Sequence, residues 1–226
     1  MTLVPGSPFA AGTTTVRLIL DPTGRFVYVE DFFRETLLGF KISPATGTLT
    51  PIPGSPFAGF YGPMTVDPTG RFLYVFEENF EAPGGVNINE YIINNRTGAV
   101  TLSPDSPFSA PAGVADAVVD PSGRFLYVAV NLLSDGEGSN EIVGFFIDPL
   151  TGSLTPLRSS PVPLAAESTG LTVDPSGRFV YVTLEDSTIT GYSIDRRSGA
   201  LRALPGPPLP TGTGPTGIVV GAFIHR

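Results

Sequence analysis

The chain has 226 residues, 41% of them hydrophobic, and a formal net charge of −8. That is enough to bury a sizeable core in one large or two small domains, while the acidic balance argues against nucleic acid, whose phosphates need a basic surface. Cysteine is absent, which excludes disulfides, thiolate metal sites and cysteine nucleophiles, and no apolar run is long enough to span a membrane as a helix.

The 27 Gly and 24 Pro suit many short strands joined by tight turns. Residues 1–6 carry no basic stretch followed by an apolar one, so they do not read as a signal peptide. Gly6-Ser7-Pro8-Phe9 reads as the end of an outer strand. Asp21-Pro22-Thr23-Gly24-Arg25-Phe26-Val27-Tyr28-Val29 follows and returns at 67–75, 120–128 and 174–182, at intervals of 46, 53 and 54 residues. A period near fifty residues is long for a helical hairpin and right for a four-stranded propeller blade.

The unit at 163–209 is the clearest. Gly170-Leu171-Thr172-Val173 reads as the innermost strand. Asp174-Pro175-Ser176-Gly177 is a turn in which Asp bonds the backbone ahead, Pro presets φ and Gly tolerates positive φ. Residues 178–182 are a second strand rich in β-branched and aromatic side chains. Residues 188–194 alternate as a third strand, Asp195-Arg196-Arg197-Ser198-Gly199 turns the chain, and 200–204 form the outer strand. The other units show the same order, each closing on a phrase such as Gly54-Ser55-Pro56-Phe57. The expected architecture is all-β: a single propeller domain over 1–226 with four-stranded blades at about 11–57, 58–108, 109–162 and 163–209. Residues 1–10 and 210–226 supply an incomplete fifth blade, with Gly217-Ile218-Val219-Val220 as its inner strand. Such a chain forms a small closed ring, or is an arc of a larger ring, or covers its open blade edges with another copy.

The repeated Asp-Pro-(Ser/Thr)-Gly-Arg-Phe-(Leu/Val)-Tyr-Val, with a Thr-Gly or Ser-Gly turn and a Ser-Pro-Phe phrase, resembles the lactonase-type propellers. These include the 6-phosphogluconolactonase-like proteins and the Tyr-Val-Thr-Asn repeats. The resemblance implies a seven-bladed fold and lactone hydrolysis. Catalytic members carry a Gly-Pro-Arg-His phrase leading into an inner strand. The matching places here, Thr14-Thr15-Val16-Arg17, Tyr61-Gly62-Pro63, Val114-Ala115-Asp116 and Ser168-Thr169-Gly170, hold no histidine; the single one is His225. The expectation is therefore a non-catalytic propeller that binds a small molecule or protein, with sugar-lactone hydrolysis as the alternative.

Twelve of the 21 carboxylates fall in segments expected to line the ligand face: Glu30, Asp31, Glu35, Glu77, Glu78, Glu81, Glu90, Asp135, Glu137, Glu141, Glu185 and Asp186. They read as a solvated acidic rim or as oxygen ligands for a divalent cation, the one cofactor this composition suggests. Arg17 and Asp116 share a register four residues before the turn Asp, where a side chain can face the channel. Arg17 could hold a ligand carboxylate or phosphate, or pair with a neighbouring acid. The ligand-site candidates are thus Arg17, Asp116, Glu30, Asp31, Glu77 and Glu185, with no catalytic residue assigned. Arg25, Arg71, Arg124 and Arg178, and the tyrosines Tyr28, Tyr74, Tyr127 and Tyr181, recur in every blade and read as structural. The compartment is cytoplasmic for the sequence as written, and secreted or periplasmic if a leader precedes it.

Overall fold

The computed structural model describes residues 3–59, 62–79, 85–111, 113–131 and 139–219. Among the described residues four β-sheets follow one another along the chain, and the one helical element is a short 3-10 turn, Phe32–Arg34. None of the described residues forms a helix long and apolar enough to cross a membrane. Blade 1 contains β1 (Thr15–Leu20), β2 (Phe26–Asp31), β3 (Thr36–Ile42), β4 (Leu49–Pro51) and β5 (Phe57–Ala58). Blade 2 contains β6 (Met64–Val66), β7 (Phe72–Asn79), β8 (Gly85–Ile93), β9 (Val100–Leu102) and β10 (Phe108–Pro111). Blade 3 contains β11 (Val114–Val119), β12 (Phe125–Val130), β13 (Glu141–Ile147), β14 (Leu154–Pro156) and β15 (Val162–Pro163). Blade 4 contains β16 (Ser168–Val173), β17 (Phe179–Leu184), β18 (Thr188–Ile194), β19 (Leu201–Ala203) and β20 (Leu209–Pro210). The chain divides into two compact units, Met1–Glu77 with Ile88–Pro107, and Glu78–Asn87 with Phe108–Arg226.

The repeated turn forms for the reason its residues suggest. In blade 3, Asp120 Oδ1 accepts the amides of Arg124 (2.9 Å) and Phe125 (2.8 Å), and Oδ2 accepts the amide (3.0 Å) and hydroxyl (2.6 Å) of Ser122. A buried carboxylate is tolerable because its lone pairs are filled. Gly123 follows at φ +70, where a side chain would be strained. The strands then alternate, so each second strand sends its Phe and Tyr to one face of the blade and its aliphatic residues to the other.

The closing phrase does more than end an outer strand. In blade 1 both β4 and β5 pair with β3, so the outer strand is split in two by a detour at 52–56. Gly39, facing the gap, stays satisfied: its carbonyl accepts the Ile52 amide at 3.0 Å and its N–H donates to Ser55 Oγ at 3.0 Å. Ser160 receives the Gly144 amide in the same way at 2.8 Å. The serines of these phrases therefore replace a missing ladder bond, and the Ser-Pro bonds beside them are cis. A sequence reading shows one outer strand because the detour is local to it. Both ends of the expected fifth blade differ from expectation. Gly6-Ser7-Pro8-Phe9 and residues 217–219 lie in no strand, and Val220 lies outside the described residues.

Within the first unit, blade 2 covers the aromatic face of blade 1. Tyr28 OH donates to the Gly98 carbonyl at 2.8 Å, and Phe26, Tyr28, Leu37, Ile52, Val66, Leu73 and Val100 form one buried cluster. Within the second unit the same pattern recurs: Tyr127 OH donates to Gly199 O at 2.9 Å, and Phe125 and Tyr127 pack with Leu171, Val173, Val180 and Val182. Burial, reinforced by Asp120, pushes the Tyr127 phenol well above its ordinary range, so it remains a donor. Tyr127→Phe leaves the Gly199 carbonyl buried without its partner. It is expected to cost about 1–2 kcal/mol, read as a lower urea midpoint at unchanged slope.

Candidate functional site

The irregular pairing of β1 with β2 sets the first part of the site. Thr15 faces Asp31 and Leu18 faces Val29, which leaves Val16 and Arg17 opposite Glu30 alone. Such a bulge re-aims side chains. Arg17 Nη1 lies 3.2 Å from Glu30 Oε2, and the Arg17 side chain remains 40% exposed while that of Glu30 is buried. The other oxygen, Oε1, accepts the amide of Gly62 at 3.2 Å. Gly62 has φ +121, and a Cβ there would sit 2.0 Å from the Phe76 carbonyl oxygen and 4.0 Å from the Glu77 amide nitrogen. Arg17, Glu30 and Gly62 thus form one chain of contacts across blades 1 and 2 of the first unit, and the Gly62 backbone runs beside that of Phe76 and Glu77.

Glu77 lies at the register of Asp31, but its environment differs. Its Oε2 accepts the Asn89 side-chain amide at 2.7 Å, and its Oε1 is enclosed with no hydrogen-bond partner among the described residues. Burial pushes its carboxyl up to about 7; the Asn89 hydrogen bond opposes the shift and the charge of Glu35 adds to it. Glu35 is itself the left-handed residue that closes the 3-10 turn, at φ 51. A carboxyl that burial raises toward neutrality, with one oxygen not held by a donor among the described residues, is suited to proton transfer. Asp31 is the opposite case. The amides of Thr13 (2.9 Å) and Thr14 (3.3 Å) bond its oxygens, and a Cβ on Gly12 would come 2.4 Å from Oδ2. These bonds, the Thr13 amide first, hold its carboxyl below the usual range, with Arg34 assisting at 4.0 Å.

The remaining sequence candidates lie in the second unit. Asp116 Oδ2 accepts the Leu171 amide at 2.8 Å and Oδ1 accepts the amide of Ala117 at 2.8 Å, so the carboxylate joins the inner strands of blades 3 and 4. Glu185 is exposed after β17. The acidic segments are not a uniform solvated rim: Glu30 and Asp31 are buried at the end of β2, and Glu90 is buried inside β8 rather than in a loop. Glu81, Asp135, Glu137 and His225 lie outside the described residues. Among the described residues, no group of three or more acidic or histidine side chains is placed to hold a metal ion.

Sequence reading missed two asparagines. Asn89 acts on Glu77, and Asn131 exchanges two hydrogen bonds with the Ser168 backbone, at 2.9 and 2.8 Å. Polar alternation in β8 was the available signal for Asn89. It also missed the exchange at Glu90. Blades 1, 3 and 4 place Gly39, Gly144 and Gly191 at this position, where a Cβ would lie 2.4, 2.8 and 2.9 Å from Ile52, Leu157 and Leu204 respectively. Blade 2 reverses the pair: Glu90 occupies the glycine position, and Ser103, whose amide bonds the Glu90 carbonyl at 2.8 Å, stands where the aliphatic residue should be. Glu90 is 0% exposed, and among the described residues neither carboxyl oxygen has a hydrogen-bond partner. Burial pushes its carboxyl up to about 7, with Asp105 adding to the shift and the Ser103 hydroxyl opposing it.

A sequence profile of the family described as "Lactonase, 7-bladed beta-propeller" matches residues 16–213. Among solved structures, the chain resembles a candidate 6-phosphogluconolactonase of Bacteroides uniformis at 20% identity and TM-score 0.64, covering 82% of this chain and 52% of that one. A candidate 6-phosphogluconolactonase of Bacteroides fragilis aligns at 19% identity and TM-score 0.65, covering 90% and 56%. The periplasmic gluconolactonase of Pseudomonas aeruginosa aligns at 20% identity and TM-score 0.60, covering 87% and 54%. The chain therefore spans about half the length of these structures, and identities this low speak to fold alone. No curated protein matches the chain.

Proposed function

The chain belongs to the lactonase family of seven-bladed β-propellers, and we propose that its function is hydrolysis of a sugar lactone, with Glu77 as general base. The expectation of a non-catalytic binding module finds no support in these comparisons; the hydrolytic alternative fits them better. The observation that carries the reading is the setting of Glu77: a half-buried carboxyl that burial pushes up to about 7, bonded by Asn89 at one oxygen and with its other, enclosed oxygen unpaired among the described residues.

In this reading, Glu77 takes a proton from water as the water oxygen bonds to the lactone carbonyl carbon. The ring C–O bond then breaks, and the proton passes from Glu77 to the departing ring oxygen, leaving an open hydroxy acid and the free carboxylate. Glu30 holds Arg17 through one nitrogen, and the exposed remainder of the guanidinium would take an anionic substituent of the sugar. The three other candidates, Asp31, Asp116 and Glu185, have no step in this scheme.

The test is hydrolysis of gluconolactone and 6-phosphogluconolactone, corrected for the spontaneous reaction, with and without EDTA and added divalent cation. The expected result is a saturable rate above background, with the phosphorylated substrate showing the lower KM. A rate equal to the spontaneous one under every condition would discard the reading.

A further inference from the structure

The second turn of each blade holds one residue that does not repeat. Where blade 4 has Arg196, blades 1, 2 and 3 have Pro44, Asn95 and Pro149. A residue needed only for the turn recurs around the repeat, as Gly47, Gly98, Gly152 and Gly199 do. Arg196 is exposed but anchored: its Nη2 donates to the Ser176 carbonyl at 2.5 Å, tying the second turn of blade 4 to the first. Arg124 of blade 3 reaches the same place. Its Nη1 donates to the Arg196 carbonyl at 3.0 Å, and its guanidinium carbon lies 5.1 Å from the centre of the Phe125 ring. In the first unit the corresponding Arg25 bonds within its own turn, Nε to Thr23 Oγ1 at 2.8 Å.

Arg124 and Arg196 line one cavity of about 320 Å³ between the turns of blades 3 and 4, together with the buried Phe125 and Ile194. A guanidinium carries several more N–H donors than the single backbone bond that each of these two makes. Among the described residues neither forms an ion pair with a carboxylate. Asp120 also lines the cavity, but its oxygens are taken by Ser122 and by the amides of Arg124 and Phe125. Asp195, beside Arg196, is taken likewise by the amides of Arg197 (3.0 Å) and Ser198 (2.9 Å). Two guanidinium charges against one carboxylate leave the lining net positive, in a chain of formal net charge −8.

We propose that this cavity binds a small organic dianion, a phosphate monoester or a dicarboxylate, whose oxyanion is held between Arg124 and Arg196. Guanidiniums suit such a group because their planar forks donate in pairs to its oxygens. The cavity has the size of a small-molecule site, and Phe125 and Ile194 give the carbon body of the ligand an apolar contact. The site lies wholly in the second unit, whereas Arg17 and Glu77 belong to the first. It does not rest on the lactonase reading.

Calorimetric titration of the full chain with inorganic phosphate, glycerol phosphate and succinate tests it, with backbone amide NMR shifts locating the bound probe. Glycerol phosphate or succinate is expected to saturate with a Kd of about 1 mM or below, more tightly than inorganic phosphate, and to shift the amides of Gly123, Gly177 and Ser198. The tighter of the two identifies the oxyanion. Arg196→Asn installs the residue that blade 2 carries in this turn, and it should weaken binding at least about tenfold. If circular dichroism shows that variant unfolded, Arg196→Lys replaces it; the charge stays, the fork is lost, and binding should weaken severalfold. The proposal is overturned if neither organic dianion saturates, if the Kd is unchanged in the folded Arg196 variant, or if the shifts are confined to the surroundings of Arg17.

Discussion

Glu77→Gln is expected to lower kcat for lactone hydrolysis by about 10²–10⁴-fold. The amide keeps the size of the carboxyl and can still meet Asn89, so KM should change little, which separates loss of a base from loss of a binding contact. The pH dependence carries the sharper evidence. A general base works when deprotonated, and burial places the Glu77 carboxyl at about 7. The enzymic rate should therefore rise as pH passes through about 7 and level off above it. Asn89→Ala removes the bond at Oε2, which had favoured the charged form, so the rising limb should move to higher pH. A rate in Glu77→Gln equal to wild type would remove this residue from the chemistry, and a pH profile flat from 5 to 8 in the wild type would do the same.

Restoring the repeat in blade 2, with Glu90→Gly and Ser103→Leu together, is expected to stabilise the protein by about 4–5 kcal/mol at pH 8. Part of this is relief of the buried carboxylate. Its folded-state value, about 7, lies above the ordinary value of 4.5, so the folded chain binds its proton more tightly than the unfolded chain. Its stabilising contribution is complete below about 4.5 and is lost as pH rises through about 7. That loss is on the order of 2–3 kcal/mol. The rest is burial of an aliphatic side chain over the new glycine, about 2 kcal/mol. The gain should shrink to about half at pH 5, where Glu90 is largely protonated. The single changes should behave differently. Glu90→Gly leaves a cavity beside Ser103, and Ser103→Leu crowds the carboxyl, so both should fall short of the double variant, with a large coupling energy. Urea titrations of the four proteins at pH 5 and pH 8 measure this. Additive effects would mean that the two positions do not share a space.

Much of the fold is legible in the chain because its signals are local. Asp-Pro-(Ser/Thr)-Gly needs only its own next few amides to make a turn, and β18 spans 188–194 as alternation predicts. Arg17 and Glu30 are legible as candidates because Arg17 falls at the start of an inner strand and Glu30 at the end of the next one. Their pairing is not, since it depends on a bulge that skips one residue of β1. The same applies to the outer strand. Ile52 and Ser55 flank a detour closed by bonds to Gly39, sixteen residues from Ser55. Nothing local distinguishes Ser55 from any other turn serine.

The amino-acid sequence alone determined that this is a chain of recurring all-β units, because strand alternation and turn chemistry act over a few residues and repeat four times. Tertiary structure decided which members of the acidic series differ in character. Asp31 is held ionised by backbone amides brought from Thr13 and Thr14, while Glu77 and Glu90 are pushed toward neutrality by burial among residues distant in the chain. The residue type is the same carboxylic acid. Its charge state depends on what surrounds it, and desolvation is a property of packing that no stretch of sequence carries by itself.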